Sequence, residues 1–127
     1  MNDSARPTPY LCDRNLPHDV RRELFGGKGA VRVWALTGAP ALPFTAVLAC
    51  ELDAGGSVGP HVQEQYPELV IGISGSGSTS VNGASTQFDA GSVVELARGQ
   101  TLAIVNESPD VPLCYLIIKA QGAGAAG

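Results

Sequence analysis

Short runs rich in Val, Ile, Thr, Tyr and Phe recur along this chain, each bounded by Gly, Pro, Asn or Asp. That punctuation predicts strands rather than helices. Strands are expected at 30–36, 44–52, 68–74, 77–81, 86–88, 92–96, 101–105 and 113–119. Many short strands with turn residues between them suit an all-β sandwich or barrel. The Asn82-Gly83 pair between two such runs is the strongest hairpin signal, since both residues tolerate the positive φ of a two-residue turn. One helical turn is expected from Pro17 through Arg22, where a proline stands at a position suited to the first residue of a helix. The glycine- and alanine-rich tail 121–127 has no side chain worth burying and is expected to fray, and residues 1 to about 16 to be loose or to act as an arm. The expected organisation is an arm with a short helical turn over 1–29, a barrel over 30–120 and a flexible tail over 121–127.

At 127 residues there is room for one domain. A composition 44% hydrophobic and 16% charged excludes a disordered chain. The formal net charge is −4, and the basic residues are Lys28, Lys119 and scattered arginines. A nucleic-acid footprint needs clustered positive charge, so none is expected. No apolar run approaches the roughly 18 residues of a membrane span. The opening segment 1–10 has acid and proline where a secretory signal would be basic and then apolar, so a cytoplasmic protein away from membranes is expected. Cys12, Cys50 and Cys114 are odd in number and lack short ligand spacing, which suggests neither a disulfide framework nor a zinc knuckle. They read as buried or incidental thiols in a reducing compartment.

The chemistry-bearing stretch runs from Gly55 to Gly75. Residues two apart on a strand share a face, so His61 and Gln63 are expected to project together. Glu68 opens the next strand after the Tyr66-Pro67 turn. An imidazole, a carboxamide and a carboxylate would then converge from adjacent strands. A carboxylate turned into a small barrel must be paired, metal-bound or protonated, and each case makes Glu68 a candidate for proton transfer. Gln63 and Glu68 could equally satisfy one another across the strands. Arg98, in the turn before the next strand, could reach an anionic ligand at the barrel mouth. Gly55, Ser57 and Gly59 fit the spacing of a nucleophile elbow, but no helix follows them, and the match reads as coincidence.

At these spacings the chain resembles the cupin family. Gly55, His61, Glu68 and Gly75 stand at the positions of the first cupin motif, with Gln63 in place of its second histidine. Gly91, Gly99 and Asn106 stand at positions of the second motif, where Ala97 replaces a proline and Leu102 replaces a histidine. The resemblance implies a double-stranded β-helix, a jelly-roll barrel, with one pocket floored by His61, Gln63, Glu68 and Leu102, and it implies a homodimer. It also implies one divalent transition metal, Fe, Mn, Ni or Zn. Carried over by position, the ligands would be His61, Gln63 and Glu68, with nothing at Leu102. A neutral amide oxygen is a poor substitute for imidazole toward such metals. Bringing His18 to the pocket on the arm would be the one way to a second imidazole.

Three functions follow as expectations. One is a metal-dependent enzyme of dioxygenase, isomerase or lyase type on a small polar substrate. A second is a metal-free enzyme with His61 and Glu68 as an acid–base pair. A third is a non-catalytic module that binds a small molecule with Gln63, Arg98 and Leu102 lining its pocket. The fold does not choose among them.

Overall fold

The computed structural model describes residues 11–121. The fraying expected of the tail at 122–127, and the looseness expected of 1–10, lie outside the described residues. The described residues form ten strands: β1 (Asp19–Arg22), β2 (Ala30–Ala35), β3 (Phe44–Leu52), β4 (Ser57–Val62), β5 (Glu68–Ser74), β6 (Ser76–Val81), β7 (Ala84–Asp89), β8 (Val93–Leu96), β9 (Thr101–Asn106) and β10 (Leu113–Ala120). Leu24–Gly26 makes a single 3-10 turn. Among the described residues no helix is long and apolar enough to cross a membrane.

The strands form two sheets, ordered β1-β2-β3-β10-β5-β8 and β4-β9-β6-β7. The strands of both sheets pair antiparallel, and the sequence neighbours β4 and β5 lie in different sheets, which is the jelly-roll way of wrapping a chain around one interior. Alternation then decides what faces inward. Val31 and Val33 of β2, Cys50 and Leu52 of β3, Leu113 and Tyr115 of β10, and Leu102 and Ile104 of β9 belong to one core cluster with Val58, Val70, Phe88 and Leu96.

The Asn82-Gly83 turn joins β6 to β7 with Val81 opposite Ala84, and both turn residues have positive φ (50° and 85°). The Asn82 Oδ1 also accepts the Thr101 N–H at 2.8 Å, which ties the hairpin to β9.

The N-terminal region departs from expectation in two ways. No helical turn forms over Pro17–Arg22. Residues 19–22 instead pair with Val33 through Ala30 as an edge strand, because an open backbone edge on β2 offers ladder hydrogen bonds that one isolated helical turn cannot match. The arm also has a fixed seat. Asp13 accepts the Trp34 Nε1–H at 2.8 Å through its backbone carbonyl, and Arg14 donates to Glu51 Oε1 at 2.8 Å. This explains why Ala49 and Glu51, on the outward face of β3, are as buried as their inward neighbours.

Candidate functional site

Between the sheets lies a cavity of about 140 Å³. An apolar cavity of that order holds one benzene-sized ring. Val31, Val33, Val58, Leu102, Ile104 and Ile117 supply aliphatic wall, while Arg21, Cys50, His61, Glu68, Tyr115 and Lys119 bring polar atoms to it.

His61 reaches the cavity through an irregularity in β4. Leu102 pairs with His61 but Ile104 pairs with Val58, so one extra residue is accommodated near Gly59-Pro60. Such a bulge lets residues three apart, Val58 and His61, face the same side. The His61 Nδ1 lies 2.9 Å from the Gly59 carbonyl oxygen. A carbonyl only accepts, so Nδ1 carries the hydrogen of this bond. Phe25 stacks on this imidazole with centroids 4.1 Å apart and planes 10° from parallel.

Phe25 is placed there by a strained turn. It and Glu23 have φ of 53° and 51°, in the left-handed region that non-glycine residues seldom occupy. Two glycines let the turn lie flat against β4: a Cβ on Gly59 would stand 1.9 Å from the Phe25 carbonyl oxygen, and one on Gly27 2.1 Å from that of Ser57. Reciprocal bonds between Lys28 and Ser57, at 3.1 and 2.8 Å, fix the contact. Gly59→Ala is therefore expected to push the cap off His61, at a cost of about 1–2 kcal/mol from overpacking. NMR of the His61 ring protons checks this, since they should lose the upfield shift that the Phe25 ring imposes.

Glu68 is 3% exposed and stands opposite Lys119 in the β5–β10 ladder. The Lys119 Nζ lies 3.4 Å from Glu68 Oε1. Oε2 is buried and has no hydrogen-bond partner. Burial pushes the Glu68 carboxyl above the ordinary range, and the charges of Lys119 and His61 pull it partly back. Tyr115, opposite Cys50 across β3 and β10, is likewise held well above its usual value by burial.

Of the residues singled out from sequence, His61, Glu68 and Leu102 meet at the cavity, with Leu102 directly across from His61. Gln63 does not line it. It follows the end of β4, where its backbone pairs with Gly99 and Gln100, and its buried Nε2 has no partner. Arg98 is exposed in its turn and also away from the cavity wall. His18 sits against Trp34 on the outward face of β2, with ring centroids 4.8 Å apart, so it supplies no second imidazole. Arg21, Tyr115 and Lys119 went unremarked from sequence. For Lys119 a signal existed: Leu113, Tyr115, Ile117 and Lys119 share one face of a strand, which puts a lysine at the end of an inward row.

The donor set does not fit the metal implied by the motif spacing. Among the described residues no three His, Cys, Asp or Glu side chains form a group that could hold a metal ion. Gln63 does not line the cavity, Leu102 faces His61, and the Lys119 ammonium already sits beside the Glu68 carboxylate.

The architecture is that of a jelly roll with an interior cavity. No family model matches the sequence, and no curated protein does. Solved structures do match. A predicted oxalate decarboxylase from Thermotoga maritima superposes with a TM-score of 0.80 at 23% identity, over 90% of this chain and 100% of that one. A Cupin 2 conserved barrel domain protein from Salinispora arenicola gives 0.65 at 25% identity, over 83% of each chain. A cupin protein from Bacteroides fragilis gives 0.62 at 25% identity, over 72% of this chain and 77% of that one. This chain has the fold of a small cupin.

Proposed function

We propose that this protein is a metal-free cupin that binds one small, largely apolar molecule inside the barrel, about the size of a single six-membered ring and carrying a hydrogen-bond donor. The observation that carries this reading is Glu68 Oε2, buried and unpartnered at the edge of an aliphatic cavity. A buried acceptor without a partner is costly, and a ligand hydroxyl would relieve it. Lys119 on the other carboxylate oxygen favours the ionised form, against the effect of burial. The stacked Phe25 and His61 form a flat wall beside the cavity, suited to a ring.

Thermal-shift titration of the whole chain with phenol and cyclohexanol, against benzene and oxalate, tests the reading. The hydroxylated rings are expected to raise Tm by several degrees at saturating concentration. Benzene should do less, and Glu68→Leu should erase the difference between phenol and benzene. Oxalate, the substrate class in the description of the Thermotoga maritima barrel, is expected to give no shift, because a dianion would meet the Glu68 carboxylate. Equal shifts with phenol and benzene, or a shift with oxalate alone, would overturn the proposal.

A second reading, proton transfer by Glu68 and His61, is favoured by the elevated Glu68 carboxyl beside the imidazole. Turnover of a bound ring with a bell-shaped pH profile, lost in Glu68→Gln, would select it over simple binding.

A further inference from the structure

The outer face of the six-stranded sheet carries a second arrangement of reactive groups, separate from the cavity. Cys114 is paired with Glu51 across β3 and β10, and both are turned outward beneath the arm. Cys12 lies on the arm above them, with its Sγ donating to the Cys50 carbonyl oxygen at 3.5 Å and its thiol within hydrogen-bonding reach of the Cys114 thiol. Three anchors hold the arm at this place: the Trp34 bond to Asp13, the Arg14 bond to Glu51, and the ring contact of His18 with Trp34. Two thiols are thus brought together by contacts that seat the arm just beyond Cys12, although 102 positions separate them in sequence.

We propose that Cys12 and Cys114 are an oxidation site that forms an intramolecular disulfide with hydrogen peroxide, fastening the N-terminal arm to the outer face of β10. The sulfurs carry the chemistry in two steps. Cys114 first releases its proton; the thiolate attacks one peroxide oxygen, breaking the O–O bond, the departing hydroxide takes up the proton that Cys114 released and leaves as water, and Cys114 becomes a sulfenic acid. The Cys12 sulfur then attacks Cys114, displacing the hydroxide, which leaves as a second water with the Cys12 proton. Two thiols lose two electrons and one peroxide becomes two waters.

The environment sets which sulfur starts. Hydrogen bonds from Cys12 and Ser74, aided by the Arg14 charge, bring the Cys114 thiol below its ordinary value, while the hydrogen bond with Cys114 and burial hold Cys12 up. Cys12 is only partly buried, which leaves a path for a small oxidant. Cys50 is excluded by the period of the strand. Its side chain lines the cavity on the inner face, opposite Tyr115, whereas Cys114 points the other way. The arm runs directly into β1, whose Arg21 lines the cavity, and on to the Phe25 cap. Fastening it therefore restrains the segment that covers the site.

The test uses the full chain, with thiols counted after denaturation before and after mild peroxide. Three titratable thiols are expected to fall to one, non-reducing peptide mapping to find Cys12 joined to Cys114, and dithiothreitol to restore all three. Closing so long a loop should also raise Tm by several degrees. Cys50→Ser should still form the link, and Cys12→Ser, a change in the arm outside the core cluster, should not. Survival of all three thiols, a bridge that includes Cys50, or bridges between chains in place of the internal one would overturn the proposal.

Discussion

Replacing Asn106 by aspartate is expected to destabilise the protein by about 4 kcal/mol, placing it among the most damaging single substitutions in the chain. Asn106 ends β9 and is 1% exposed. Its Nδ2 donates toward three carbonyl oxygens: Leu52 at 3.2 Å, Asp53 at 3.0 Å and Val111 at 2.9 Å. Its Oδ1 accepts the Ser108 N–H at 3.1 Å, and its own N–H donates to Gly56 at 2.9 Å. One amide thereby joins the β3–β4 turn to the loop before β10, using both its hydrogens and its oxygen. Aspartate would place an acceptor where three carbonyls already accept, and neither oxygen of the ionised group could bond to them. The introduced acid would ionise only above its ordinary range in the folded state. Its folded proton affinity then exceeds the unfolded one, so stability should fall further as pH rises through that window. Asn106→Leu lacks the repulsion and should lose about 3 kcal/mol with no such pH dependence. Urea unfolding at pH 5 and pH 8 checks both, with the midpoint moving and the slope unchanged. Equal losses for the two variants at pH 8 would show that the carbonyl cluster is not what Asn106 satisfies.

This amide shows what local sequence can and cannot report. Asn106 was noticed through motif spacing, but two of its three carbonyl partners, Leu52 and Asp53, lie more than fifty positions away, and no periodicity places those. Strands were legible wherever β-branched runs met glycine turns, and the Asn82-Gly83 hairpin was legible to the residue, because both signals are local. Residues 19–22 were misread because Pro17 imitates a helix start, while the decisive partner, the open edge of β2, is formed by residues some ten positions later. In the cavity, alternation accounts for Leu102 but not for His61 and Val58 together, since the irregularity at Gly59-Pro60 shifts the face without a composition signal beyond the glycine and proline themselves. The pairing of Glu68 with Lys119 needs the β5–β10 register, which exists only after the chain has folded. That pairing is what separates this site from the metal-holding arrangement that the motif spacing implies.

Lys119→Met supplies the second large effect, an expected loss of about 3 kcal/mol near neutral pH. Removing one member of a buried pair leaves the other as an uncompensated charge, and this commonly costs about 3–5 kcal/mol. The value here falls at the low end because Lys119 is 36% exposed, so water already weakens the pair from one side. Without the ammonium, the Glu68 carboxylate would keep its burial and lose the nearer of the two charges that favour ionisation. Its folded affinity for a proton would rise further. In the wild-type protein the carboxyl is already raised above its unfolded value, so the folded state binds more protons than the unfolded one through that interval. Stability is therefore highest below the unfolded value and declines as pH climbs through the folded one, and Lys119→Met should steepen and extend this decline upward. Acidification should return most of the lost stability to the variant, because a protonated Glu68 needs no cation. Glu68→Gln combined with Lys119→Met removes both charges and should restore stability at neutral pH to within about 1 kcal/mol of wild type, flattening the profile. Denaturant midpoints for the four proteins between pH 4 and pH 9 read out the cycle. If Lys119→Met lost the same stability at every pH, or if the double variant were no better than the single, the ammonium would be acting through packing of its aliphatic stem and not through the carboxylate.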